Sequence, residues 1–208
     1  MESYKQHLMV AFLILISVSG CTSTPIQKKF EHFDWCSVKA ISQRRSDSCG
    51  SACMVAVLTY WGLTVTEKEV LLEFPPLPEG GYSIAQLKSI ATVKGLESYA
   101  LTMLPNPRRM IREQIMKGRP VICAVRLPTD LYFAHDVPLI GTIYRWWSWN
   151  KSYRKNHFIV VIGTNINDEF LFMDSAFGYA TLSWKHLRDC WGKRDFAALL
   201  CVKKIEQN

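Results

Sequence analysis

Residues 46–60 read SDSCGSACMVAVLTY and run on into Trp61-Gly62. Ser46, Asp47 and Ser48 offer polar caps, and the apolar run behind them is nearly unbroken until Gly62 closes it. A helix that is apolar almost all round must be covered on every side, so this one is predicted to be the central helix of the domain. Its first turn carries Cys49. A thiol placed there meets unpaired backbone N–H groups and the positive end of the helix dipole, both of which favour a negatively charged sulfur. Cys53 lies one turn further along the apolar face, where a merely structural cysteine is expected. Gly50 removes a side chain beside the thiol and leaves room for a substrate backbone. Six residues before Cys49, the amide of Gln43 is a candidate donor to an oxyanion.

Working outward, residues 66–74 (TEKEVLLEF) form an amphipathic helix opened by a Thr66-x-x-Glu69 capping box. Residues 75–81 (PPLPEGG) are a loop, and Ser83 caps a third helix over 84–94 that stops at Gly95. The texture then changes. Residues 97–103 suit a strand, and 107–117 suit a helix with Pro107 at its start and Gly118 after it. Residues 121–127 (VICAVRL), 158–164, 170–174 and 197–203 are predicted strands, with a short helix over 183–190. Helices fill the first half and a mostly antiparallel sheet fills the second. This is an α+β chain with one domain over 35–208.

Two further residues belong with Cys49. His157 opens the strand HFIVVIG, and Asp174 closes the next strand, EFLFMD. A hairpin lays these strands side by side with both residues near the same end. An acid beside the distal ring nitrogen fixes the tautomer and stabilises an imidazolium that pairs with a thiolate. His135, in the loop 132–138, is a rival base, but no predicted strand carries it toward an acid.

Gln43-x5-Cys49-Gly50-x-Ala52-Cys53-Met54, running on to Tyr60-Trp61-Gly62, resembles the catalytic helix of cysteine peptidase family 39. These are the papain-like bacteriocin-processing, or double-glycine, peptidases. His157-Phe158 with Gly163, and Asp174-Ser-Ala-x-Gly178, resemble the family's His and Asp segments. The resemblance covers residues 42–202. It implies a papain-like fold, with Cys49 as nucleophile, His157 as base and acid, Asp174 as orienting acid and Gln43 in the oxyanion hole. It implies a peptide or protein substrate and neither metal nor organic cofactor. Ser48 stands where the family usually has Asp, and Ser175 where it often has Pro; neither change removes a catalytic group. The best-known relatives are cytosolic domains of ABC transporters that cut leader peptides after Gly-Gly. No transporter domain or GxxxxGK phosphate loop is present here, so the substrate need not be a bacteriocin leader. Transfer of the acyl group to another acceptor, or silent binding of a peptide in the cleft, are the alternatives.

The remaining features concern location. Residues 1–20 hold an apolar run of eleven, Leu8 to Val18, too short for a mature span but suited to a signal peptide. Val18-Ser19-Gly20-Cys21 resembles the bacterial lipobox, which implies lipidation at Cys21 and a membrane anchor. Residues 21–34 then read as a tether. Thr22 after the cysteine resembles the sorting signal for the outer membrane, so the expected site is the cell envelope, facing the periplasm. The chain has 208 residues, 49% of them apolar, and a net charge of +7, which excludes a disordered class. The cations are scattered without a block of five or six, so no nucleic-acid partner is expected. Six cysteines follow Cys21, without a CxxC and without a histidine at metal-binding spacing, so no metal site is predicted. Residues 143–155 (IYRWWSWNKSYRK) place Trp146, Trp147 and Trp149 among cations just before His157, as candidate contacts for substrate or membrane.

Overall fold

A computed structural model describes residues 29–78, 80–127 and 155–204. Cys21, His135, Trp146, Trp147 and Trp149 therefore lie outside the described residues. The chain divides after His32, and the fold belongs to the unit that begins at Phe33.

Among the described residues the order is β1 (Asp34–Trp35), α1 (Cys49–Tyr60), α2 (Glu67–Glu73), α3 (Ile84–Val93), β2 (Leu96–Thr102) and α4 (Pro107–Met116). It continues with β3 (Val121–Leu127), β4 (Lys155–Thr164), β5 (Glu169–Asp174), β6 (Gly178–Ser183), α5 (Trp184–Trp191) and β7 (Ala197–Lys203). The strands form one sheet in the order β2-β7-β3-β4-β5-β6, and every pairing is antiparallel. The short strand β1 pairs with β4 beyond the point where β3 leaves off: Val121 faces Val161, and Trp35 faces Gly163.

The helices begin and end where local chemistry dictates. In α1 every residue from Cys49 to Leu58 is buried, as a helix apolar on all faces requires. Gly62 adopts the left-handed φ of +87° that closes its C-terminus. The capping box of α2 is complete: the Glu69 N–H donates to Thr66 Oγ1 at 3.3 Å and the Thr66 N–H donates to Glu69 Oε2 at 2.7 Å. Asn106 caps α4 through the N–H of Arg109, with Pro107 at the first helical position.

The first turn of α1 carries Cys49 as expected, but the predicted polar capping needs correcting. The helix starts at Cys49, and Ser48 makes no side-chain cap. Its hydroxyl instead donates to the carbonyl of Arg45 and accepts from the Arg45 N–H, each at 3.0 Å, which folds 45–48 into a tight turn. Two strands carried too little signal to be anticipated. β1 is only two residues long, and β6 is a sheet edge with Leu182 as its one buried residue.

The core lies where α1 crosses β4 and β5. Residues 158–162 of β4 and 170–174 of β5 are buried in unbroken succession, so both faces of these strands are covered. Trp61 Nε1 donates to the carbonyl of Cys201 and Tyr60 Oη to that of Gly118, tying the end of α1 to the sheet side of the molecule. All six described cysteines are buried, and no disulfide joins them. Burial pushes the Cys36 thiol up to about 11 and that of Cys201 up to about 12, and drives Cys53 and Cys123 well above the ordinary thiol range.

Candidate active site

Cys49 is the first residue of α1 and is 7% exposed. The segment leading to it is irregular and is fixed by residues of two other elements and of the turn after β5. Tyr179 of β6 donates its hydroxyl to the carbonyl of Val38 at 2.8 Å and accepts from the Ala40 N–H at 3.0 Å. Ser175 follows with its carbonyl accepting from the Gln43 N–H at 2.9 Å. The buried carboxylate of Glu67 accepts from the Arg44 N–H at 3.1 Å and from the Ser51 hydroxyl at 3.3 Å. Loops whose backbone amides would otherwise be unpaired are held rigid in this way.

Gln43 is held by its side chain as well. Ser175 Oγ donates to Gln43 Oε1 at 2.7 Å, and Gln43 Nε2 donates one of its two N–H groups to the Arg45 carbonyl at 2.9 Å. The second N–H of Nε2 remains available as a donor.

His157 is the third residue of β4 rather than its first. Its side chain is 14% exposed, and its Nε2–H donates to Asp174 Oδ2 at 2.7 Å. The Cys49 sulfur lies close enough to the ring to act on it electrostatically. Asp174 closes β5 and is fully buried as a side chain. Its second oxygen accepts from the N–H groups of Ala176 at 2.6 Å and Phe177 at 3.2 Å, so the carboxylate is satisfied on both oxygens. Burial alone would drive the His157 pKa down. The hydrogen bond to the Asp174 carboxylate, with the nearby Cys49 sulfur, overrides it and pushes the value up to about 9. The ring is thus charged at neutral pH, against a buried carboxylate. A sulfur, an imidazole and a carboxylate together can form an acyl-thioester and protonate the amine that leaves, which is nucleophilic acyl transfer.

The expected reason for Gly50 is wrong. A β-carbon at this position would stand 2.8 Å from Cβ of Tyr82 and 3.1 Å from its ring. The missing side chain therefore makes room for Tyr82, whose hydroxyl donates to the Phe74 carbonyl at 2.7 Å, and not for a substrate backbone. Among the described residues no three His, Cys, Asp or Glu side chains gather as a metal site.

The sequence profile described as the Peptidase_C39 like family matches residues 35–199. The chain belongs to that family. It is accordingly a cysteine peptidase with an α+β, papain-like fold. Solved structures agree on the fold. One is a double glycine motif protease from an AMS/PCAT transporter in complex with the leader peptide, 16% identical, covering 82% of this chain and 94% of that one, with a TM-score of 0.59. Another is a C39-like peptidase from Bacillus anthracis, 16% identical over 82% and 97% of the two chains, TM-score 0.58. A third is the peptidase domain of Streptococcus ComA, a bi-functional ABC transporter involved in quorum sensing, 14% identical over 80% and 99%, TM-score 0.55. No curated protein matches the chain.

In this C39 like peptidase the structure hydrogen-bonds His157 to Asp174, places Cys49 near the ring, and sets Gln43 against the residue next to Asp174. Four contributors escaped sequence reasoning: Glu67, Tyr82, Ser175 and Tyr179. Glu67 lies in the first turn of α2 and reads there only as a favourable charge at a helix N-terminus. Ser175 was visible as a departure from the family pattern, but nothing in its spacing joined it to Gln43.

Proposed function

We propose that this C39 like peptidase cleaves a peptide or protein in the bacterial envelope through Cys49, His157, Asp174 and Gln43, while anchored by a lipid on Cys21. The observation that carries the reading is the 2.7 Å hydrogen bond between His157 Nε2 and the buried Asp174 carboxylate, with Cys49 close to the ring at the start of α1. The Cys49 thiolate attacks the scissile carbonyl carbon, forming the C–S bond as the carbonyl electron pair moves to oxygen. That oxyanion is held by the free N–H of Gln43 Nε2 and the backbone N–H of Cys49 at the start of α1. His157, charged at the outset, gives its proton to the leaving amine as the C–N bond breaks. A water then enters, gives a proton to His157 and attacks the thioester. Collapse of the second tetrahedral intermediate releases the acid and restores the thiolate–imidazolium pair. Asp174 keeps the ring oriented and its charge balanced throughout.

A peptide substrate is supported by the family and by the solved neighbour that holds a leader peptide. Cleavage after a Gly-Gly-type motif is the specific form proposed. The test is alkylation of the full chain by iodoacetamide between pH 4 and 9, with peptide mapping, beside cleavage of peptides bearing Gly-Gly. Fast labelling of Cys49 at acid pH, slowed by His157→Ala, is the expected result. Labelling that follows an ordinary thiol with a pKa near 8.5, and no cleavage, would overturn the proposal.

A further inference from the structure

Across β4 and β5 the pairing changes by one residue. Near the turn Thr164 faces Phe170 and Gly163 faces Leu171, whereas toward the site Val161 faces Phe172 and Ile159 faces Asp174. Ile162 is therefore the extra residue of a β-bulge. Side chains alternate along a strand, and diagonal neighbours across a pair share a face. In the observed register Asp174 shares its face with Ile159, and hence with His157 two residues before it. Had the pairing set beside the turn continued unbroken, Asp174 would face Val160. His157 would then project from the opposite side of the sheet, because a shift of one residue exchanges the two faces. The bulge decides that the imidazole and the carboxylate meet.

A bulge needs its displaced backbone groups paired elsewhere. At Ile162 this is done by the N-terminal strand. β3 stops pairing with β4 at Val161, β1 takes over at Gly163, and between them the Cys36 N–H donates to the Ile162 carbonyl at 2.7 Å. The approach of β1 is close enough to exclude a side chain from Gly163. A β-carbon there would stand 2.8 Å from Cβ of Trp35, 3.1 Å from Cβ of Leu171 and 3.3 Å from the Asp34 carbonyl oxygen.

We propose that Trp35 and the Cys36 amide, seated on Gly163, are positioning groups: they pin the Ile162 bulge and thereby set His157 on the same face as Asp174. The inference deepens the peptidase reading and rests on it, since it assigns the source of the His157–Asp174 geometry.

The experiment reads that geometry directly, through the low-field proton NMR signal of the His157 Nε2–H bonded to Asp174 in the full chain. Cys36→Pro removes the amide donor to Ile162, and Cys36→Ala removes only the thiol and keeps the amide. Gly163→Ala presses a β-carbon against Trp35. The expected result is loss of the signal in Cys36→Pro and Gly163→Ala, its retention in Cys36→Ala, and a fall in cleavage of roughly 100-fold where it is lost. Variants with unchanged far-ultraviolet dichroism that keep the signal overturn the proposal. Should both variants fail to fold, hydrogen exchange on the unaltered protein decides. A Cys36 amide that opens together with the imidazole proton supports the clamp, and one that exchanges freely while that proton persists sinks it. Failure of the peptidase reading shows separately, as an unaltered protein whose Cys49 alkylates no faster at acid pH than a free thiol.

Discussion

The Ser175 hydroxyl donates to Oε1 of Gln43 at 2.7 Å, and the Ser175 carbonyl accepts from the Gln43 N–H at 2.9 Å. The residue after Asp174 thus grips both the backbone and the side chain of the proposed oxyanion donor. Orientation of the imidazole and orientation of the amide are fixed by adjacent residues of one strand end.

Replacing Gln43 by Ala removes an oxyanion donor and leaves the thiol untouched. Peptide cleavage should fall by roughly 100-fold, while iodoacetamide labels Cys49 at an unchanged rate, because alkylation builds no oxyanion. Ser175→Ala should cost about 10-fold or less, since the Arg45 carbonyl still holds Gln43 Nε2. Parallel kinetics of the two reactions check this. A Gln43→Ala variant that cleaves normally would remove the amide from the mechanism.

Cys49→Ala should reduce turnover by roughly 10⁴-fold or more and shift the unfolding midpoint only slightly. The sulfur is at the start of the helix, and Ala is an excellent helix former. Urea unfolding with a cleavage assay separates the two effects. Turnover by the variant within about tenfold of the unaltered chain would exclude Cys49 as nucleophile.

Asp174→Asn keeps the shape of the side chain and removes its charge. One acceptor remains for either the His157 Nε2–H or the Ala176 and Phe177 amides, which the present carboxylate serves with separate oxygens. The imidazolium loses its buried counter-charge, so its pKa should drop from about 9 toward the ordinary value of 6.5. The alkaline limb of the cleavage profile should move down by one to two pH units, the usual effect of losing an opposite charge at contact distance. An unmoved limb would mean that Asp174 is not what holds the proton on His157.

Stability should depend on pH in the same region. The His157 pKa is raised on folding, so its charged form favours the native state fully below about pH 6.5, and that contribution disappears as pH rises through about 9. The amount is on the order of 3 kcal/mol. Urea midpoints at pH 6.5 and 9.5, compared between the unaltered chain and His157→Gln, measure it. Stability that stays level or rises over this interval, relative to the variant, contradicts the assigned shift.

Gly50→Ala places a methyl group 2.8 Å from Cβ of Tyr82. The cost should be about 1–3 kcal/mol from overpacking, partly relieved in Gly50→Ala/Tyr82→Gly. Thermal unfolding of the single and double variants reports the coupling. A stable single variant would show that Tyr82 has room to withdraw.

Much of the fold was legible because it is written in local signals. The run behind Ser48, the Thr66–Glu69 box, Ser83, Pro107 and Gly118 each mark a helix boundary that depends on near neighbours. The strand sequences of β3, β5 and β7 could be placed to within a residue for the same reason. What stayed hidden depends on distant partners. Gly50 answers to Tyr82, Gly163 to Trp35 and the 38–44 segment to Tyr179, Ser175 and Glu67, and no spacing rule links these pairs. His157 and Asp174 could be placed at one end of a hairpin by pattern. That they also share a face turns on Ile162, whose extra place in β4 exists only once β5 and β1 are both seated beside it.

The burial of the cysteines has a consequence for how the molecule meets oxidants. Cys53 spends its thiol proton on the Phe158 carbonyl beneath the site, and Cys123 and Cys201 are walled into the sheet. Thiols held protonated and away from solvent are poor partners for peroxide or for disulfide exchange. Of the six described sulfurs, all buried, the one beside His157 is the expected chemical target, so inactivation by an oxidant should follow modification of Cys49. Oxidation that stops at the sulfenic acid should be reversed by a small thiol reductant, since no disulfide joins the described cysteines.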